Sequence, residues 1–272
     1  MMASLARSVP EPVWRALATL PSAPGPYCIV AFHRIAFDGE ELSYSPRAFS
    51  DLCRYWRDHY LVLPLDSLLA RLARLDPACE PAVTITFDDG YADNAEVAAE
   101  ILDRFDLSAT FFITAGVMGE ENRFPWDAHL ARPPRLMDWR QVQALHRAGF
   151  RIGSHTLTHA RLSVVRGAEL AAELRESRAR LEQQLGEPVL DFAYPYGGPA
   201  DCDAPAREAV RAAGYRCCLA CHGGLAAASD SPFALPRLPV SPFWHATPRA
   251  WARAYTRLRW RTLRAAPAPP HW

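Results

Sequence analysis

Seven short apolar runs recur along the chain, near residues 28–33, 83–87, 109–114, 151–155, 190–194, 216–220 and 234–238, with turn residues around them. The segments between them carry apolar positions at the spacing of one helix face, near 46–58, 65–75, 93–106, 139–148, 167–185 and 204–213. Strand-like runs alternating with helical segments predict parallel β/α units. Gly186 and Pro188 stop the fifth helix and Gly214 the sixth, as glycine and proline do just beyond a helix end. With 272 residues, half of them apolar, the chain can bury a full core. The expectation is a single α/β domain, one barrel over residues 26–245, with an N-terminal segment at 1–25 and a basic C-terminal helix and tail at 246–272.

Two of the predicted strands end in groups that carry chemistry. The run from Ala82 to Phe87 closes on Asp88-Asp89-Gly90, and Phe150 to Ser154 runs into His155-Thr156-Leu157-Thr158-His159. In α/β enzymes the C-terminal ends of strands hold the reacting groups. Histidines at i and i+4 can aim two imidazoles at one ion, and two imidazoles with one carboxylate leave coordination positions open for water and substrate. Adjacent residues on an extended chain point to opposite sides, so the two acids divide their roles unless the chain turns sharply, which Gly90 permits. One acid can bind metal while the other takes a proton from an attacking water. This set describes a metal-dependent hydrolase of amides or esters. The iron facial triad also uses two histidines and a carboxylate, but it has no use for a second acid beside the ligand.

The segments Thr86-Phe87-Asp88-Asp89-Gly90 and His155-Thr156-Leu157-Thr158-His159 closely resemble the first two motifs of the polysaccharide deacetylase family, carbohydrate esterases with a NodB-like domain. The resemblance extends through Ala109-Thr110-Phe111-Phe112-Ile113, Trp139-Arg140-Gln141-Val142 and Phe192-Ala193-Tyr194-Pro195-Tyr196-Gly197, and covers roughly residues 26 to 242. It implies a distorted barrel of seven parallel strands, with Asp88 as general base and Asp89, His155 and His159 as metal ligands. It also implies that the backbone of the Pro195-Tyr196 loop holds the oxyanion. Zinc is the default ion for two histidines and an aspartate, and cobalt or nickel suits the same ligands.

Two departures from the family pattern raise further candidates. The arginine that usually opens the third motif is missing from the stretch beginning at Asp191, and Arg237 in Leu235-Pro236-Arg237-Leu238-Pro239 is expected to replace it by pairing with Asp88. The usual C-terminal Leu-x-x-His motif is missing as well. In circularly permuted members the first strand supplies the acid, so His33, which ends the run from Tyr27 to Phe32, is the candidate to protonate the leaving amine, with His222 and His245 as fallbacks. The resemblance implies removal of acetyl groups from an N-acetylated sugar of a polysaccharide or its lipid-linked precursor. An O-acetyl esterase and a glycan-binding protein that has lost catalysis are the alternatives.

Formal net charge is zero, which gives no argument for a nucleic-acid partner and is compatible with a neutral acetylated glycan. Seven cysteines, an odd number, with Cys217, Cys218 and Cys221 in or beside a predicted strand, read as buried thiols and not as a secreted disulfide framework. The first residues lack the apolar core of a signal peptide and no run approaches a membrane span, so a cytoplasmic location is expected. The long connection from Ala115 to Leu136 suggests a lid or substrate wall, with Trp126 as a candidate to stack on a sugar ring. Residues 246–264 space Trp251, Tyr255, Leu258 and Leu263 between arginines without an acid. Such a helix could make weak contact with an anionic membrane surface or pack against the barrel.

Overall fold

The computed structural model describes residues 27–74, 82–120, 122, 124–240 and 247–252. The chain runs through β1 (Cys28–Phe32), β2 (Arg34–Ile35), β3 (Ser43–Tyr44), helix α1 (Pro46–His59), β4 (Leu61–Val62), α2 (Leu65–Arg74) and β5 (Ala82–Phe87). A π-helical turn, Asn94–Ala98, then leads into α3 (Ala99–Arg104). It continues through β6 (Ala109–Ile113), α4 (Trp139–Arg147), β7 (Arg151–Ser154), α5 (Gly167–Leu185), β8 (Asp191–Ala193), α6 (Ala204–Ala212), β9 (Cys217–Ala220), β10 (Leu235–Pro236) and β11 (Leu238–Pro239).

All pairings in the main sheet are parallel, in the order β10-β9-β8-β7-β6-β5-β1-β11, with β4 added beside the start of β5. The last two segments belong to one run of chain. Leu235 and Pro236 pair with β9, while Leu238 and Pro239 pair with β1, so the run bridges the two edges and closes the ring. The ring therefore holds eight strand segments where seven strands were expected. The cause lies in the prolines: Pro236 and Pro239 have no N–H to give to a ladder, so the run pairs first on one side and then on the other, with Arg237 at the changeover.

Side-chain alternation sorts the core into two layers. Val83, Ile85 and Phe87 of β5 face outward with Val30 and Phe32 of β1, against Phe49, Leu52 and Trp56 of α1. Phe32, Phe87 and Phe111 stand in paired register on three neighbouring strands, with ring centroids 5.4 and 4.9 Å apart. Ile29, Phe112, Ala193, Leu219 and Leu235 fill a second cluster inside the ring. Thr84 and Thr86 alternate with the outward residues of β5, so Asp88, two positions on, continues the inward face.

Helix ends follow local chemistry. Ser45 caps α1, Asp203 caps α6, and Asp138 with Gln141 forms a reciprocal capping box on α4. Gly186 ends α5 in the left-handed conformation, where a Cβ would be strained. The six described cysteines are free thiols. Among the described residues no helix is long and apolar enough to cross a membrane. The N-terminal segment 1–25, His245 and most of the basic segment 246–264 lie outside the described residues. Within residues 247–252, Trp251 is fully buried and meets Trp56 at 5.4 Å and Tyr60 at 5.0 Å, so this aromatic packs on the barrel.

Gly153 on β7 stands opposite Phe112, where an added Cβ would lie 2.4 Å from the Phe112 ring. Gly153→Ala is expected to cost about 1–3 kcal/mol through overpacking. That corresponds to a Tm lower by at least about 2 °C in a thermal melt; an unchanged Tm would show that the ring interior yields at this point.

Candidate active site and metal centre

β5 hands the chain to the site without breaking pairing, because the Asp88 N–H still donates to the Phe32 carbonyl at 2.9 Å. The turn then falls on Asp89 itself. Its φ is +73°, and the Gly90 N–H donates back to the Asp88 carbonyl at 2.9 Å, which makes a three-residue γ-turn of the strained kind. Gly90 also has positive φ, but the sharp step that sends the two adjacent carboxylates to different partners is made one residue earlier.

The two histidines flank a tight loop in which Thr156 (φ +67°) and His159 (φ +64°) are left-handed. With Asp89 and Tyr196 (φ +63°), four of the five described non-glycine residues of positive φ lie in the two motif segments and the Tyr196 loop. Each costs roughly 1–3 kcal/mol and persists only where its surroundings hold it. The His155 Nδ1 lies 2.8 Å from the Ala193 carbonyl, an acceptor-only partner, so the proton is assigned to Nδ1 and the Nε2 lone pair is free to ligate. Burial pushes the His159 pKa down, toward the neutral ring a metal requires.

The Nε2 atoms of His155 and His159 each lie 3.3 Å from the Asp89 Oδ1. One ligand atom from each of the three residues falls within a group no wider than 4.8 Å. An edge of 3.3 Å belongs to a tetrahedron with a centre-to-corner distance of about 2.0 Å, the length of a zinc bond to nitrogen or oxygen. The Asp89 Oδ1 is buried and receives no hydrogen bond, a deficit that a cation would satisfy. These residues fit a divalent transition-metal ion.

Asp88 is bound differently. Arg237 Nη1 and Nη2 donate to its Oδ1 and Oδ2, both at 2.7 Å, and Nη1 also donates to Thr86 Oγ1 at 3.1 Å. Arg237 is 0% exposed. Burial pushes the Asp88 carboxyl up, and the charge and paired hydrogen bonds of Arg237 outweigh it, leaving the carboxyl below its ordinary value. His33 is half-buried and close enough to both acids for its charge to favour their ionised forms. The fallback His222 is exposed.

Tyr196 is 46% exposed, and its ring centroid lies 5.0 Å from that of His159. The Gly197 N–H donates to the carbonyl of buried Pro195 at 2.7 Å across the left-handed Tyr196, a second strained γ-turn. The Arg161 guanidinium sits 3.9 Å over the Tyr196 ring. Arg161 Nη1 and the Gly198 N–H both donate to Asp201, at 2.7 and 3.0 Å, which ties the loop after His159 to the Tyr196 loop. Trp126 completes an aromatic wall, 4.8 Å from the His159 ring and 6.3 Å from Tyr196. Its Nε1 donates to the Tyr91 hydroxyl at 2.8 Å, and that hydroxyl donates to Asp127 at 2.7 Å, so the long connection is pinned to the segment that directly follows the two acids.

Sequence reasoning passed over Glu173, Arg161, Asp201 and Asp127. None of them sits in a ligand-like spacing, and each acts through a partner far away in the chain.

Removing Arg237 leaves a buried carboxylate alone, so Arg237→Ala is expected to cost about 3–5 kcal/mol at neutral pH. In the unsubstituted chain the folded Asp88 pKa lies below the unfolded value of about 3.9, so its contribution is present above that pH and is lost as pH falls through the folded pKa. In the variant the largest influence opposing burial is gone and the folded pKa rises, so protonation relieves the penalty. Denaturant melts of metal-free protein should therefore show the deficit narrowing from pH 7 to about pH 4; a pH-independent deficit would contradict this pairing.

Residues 76–218, just over half the chain, match the family described as polysaccharide deacetylase. YxkH of Bacillus subtilis (strain 168), a protein named as a polysaccharide deacetylase, is 25% identical over 215 residues, covering 79% of this chain and 71% of that protein. The structure of the Streptococcus pyogenes deacetylase PplD in complex with acetate superposes with a TM-score of 0.72 at 20% identity, over 85% of this chain and 98% of that one. The structure of IcaB from Ammonifex degensii gives 0.71 at 21% identity, over 84% and 97%. At such identities the structural likeness establishes the barrel, and the matching residues contain both acids and both histidines. The chain belongs to the polysaccharide deacetylase family.

Proposed function

We propose that the protein is a metal-dependent hydrolase that removes the acetyl group from an N-acetylated sugar of a polysaccharide or its lipid-linked precursor. The observation that carries this reading is an ionised carboxylate, Asp88, aligned by Arg237 and adjacent in sequence to a three-residue ligand set. A glycan-binding protein without catalysis would have no use for a proton acceptor held this way. Asp89, His155 and His159 would hold the ion, zinc by preference, with cobalt or nickel suited to the same ligands. Such an ion, when bound, polarises a carbonyl and acidifies water.

The chain's own groups supply the rest. Asp88 accepts the proton of the water that attacks the acetamide carbon, and Arg237 keeps both its oxygens in place and its pKa low. The backbone N–H of Tyr196 serves the oxyanion, with Pro195 fixing the turn that presents it; no acceptor meets that N–H among the described residues. His33 protonates the nitrogen as the carbon–nitrogen bond breaks, and the products are acetate and a free amine. Trp126 and Tyr196 form the wall against which the sugar ring packs, with Trp126 held rigid by Tyr91.

The test is acetate release from a panel of N-acetylated and O-acetylated saccharides, using chelator-stripped protein with and without zinc, cobalt or nickel. Release is expected only with metal and is expected to vanish in Asp88→Asn. His33→Ala should keep its metal content and lose about 10²–10⁴ in turnover. Release from O-acetyl substrates alone would make the protein an esterase on the same apparatus. Metal binding without release from any substrate would overturn the hydrolase reading, and unaltered turnover in His33→Ala would move the acid elsewhere.

A further inference from the structure

The loop between the two histidines is gripped from outside the sheet by one side chain. Glu173, on α5, lies 8% exposed against it. Its Oε2 accepts the N–H groups of Leu157 at 2.9 Å and Thr158 at 3.0 Å, and its Oε1 accepts the Thr158 hydroxyl at 2.7 Å. Among the described residues no arginine or histidine forms an ion pair with this carboxylate, so its charge is met by those three donors. From the other side the Gly116 N–H donates to the Leu157 carbonyl at 2.6 Å, at a position where any Cβ would meet that oxygen at 2.3 Å. Leu157 and Thr158 lie between the left-handed Thr156 and His159, so the donors that Glu173 engages are in the segment that must be held for both imidazoles to face Asp89.

We propose that Glu173 is a positioning residue for the metal centre. It sets the separation and aim of His155 and His159, and through them the affinity for the ion, without touching it. This rests on the reading that Asp89, His155 and His159 hold a divalent ion. The same helix supplies an internal control: one turn on, the Ser177 hydroxyl meets the Ser154 hydroxyl at 2.6 Å, a contact that docks α5 on β7 but leaves the histidine loop alone.

Zinc affinity is measured on the metal-free full chain by competition with a chromophoric chelator, alongside thermal melts of the same metal-free samples. Glu173→Ala is expected to weaken zinc binding about 10–100-fold, as the loss of outer-sphere partners does. Glu173→Gln, whose amide oxygen still accepts the two N–H groups, is expected to weaken it less. Ser177→Ala is expected to lower Tm and keep the affinity of the unsubstituted chain. If Glu173→Ala is not folded, Glu173→Gln decides, a measurable loss of affinity supporting the proposal and wild-type affinity overturning it. Wild-type affinity in Glu173→Ala with a lowered Tm would reduce the residue to a helix dock and overturn this inference alone. An equal loss in Ser177→Ala would do the same. No zinc binding by the unsubstituted chain would overturn the metal reading and this inference with it.

Discussion

A guanidinium and a carboxylate, both out of water and joined by two hydrogen bonds of 2.7 Å, sit where the barrel closes. Each charge alone would be expensive there, and together they are tolerable only because the geometry is bidentate and Thr86 accepts a further hydrogen bond from Arg237. That requirement reaches back into the architecture. The closing run must bring an arginine inward at the level of Asp88, and it does so where two prolines break it into a half that pairs with β9 and a half that pairs with β1. The seam of the barrel and the alignment of the base are thus one feature.

Above that seam the backbone departs from ordinary conformations in a confined region. Asp89, Thr156, His159 and Tyr196 are all left-handed, and contacts from outside hold the two loops that contain the last three. Glu173 and Gly116 hold the histidine loop, Asp201 joins it to the Tyr196 loop through Arg161 and Gly198, and Tyr91 locks Trp126. Four of the five described non-glycine residues of positive φ therefore lie where ligands and substrate would meet.

Much of this was legible in the sequence, for identifiable reasons. The seven apolar runs and six helical segments correspond to the ring and its helices because burial on both faces makes parallel strands read as continuous apolar stretches. Asp88, Asp89, His155 and His159 stood out because ligand chemistry imposes spacing, and the structure brings the last three within one ion's reach. The two-residue strands β2, β3 and β4 were invisible, being too short for any period, and the π-helical start of the 93–106 segment reads like α-helix at that length. The split of the closing strand is written in Pro236 and Pro239, but its meaning needs both neighbours. Glu173 carries no signal of its own in the sequence, and only the loop folded against it gives it a task.

The pH dependence of kcat/KM at saturating metal, compared between the unsubstituted enzyme and Arg237→Lys, tests the central claim most directly, because this ratio reports the ionisation of the free enzyme's base. If Arg237 is what keeps Asp88 ionised, the acidic limb of the unsubstituted enzyme stays low and moves to higher pH in the variant, where a single ammonium cannot reproduce the paired hydrogen bonds. An acidic limb that stays in place while only the amplitude falls would contradict the account and leave Arg237 as a structural closure of the barrel.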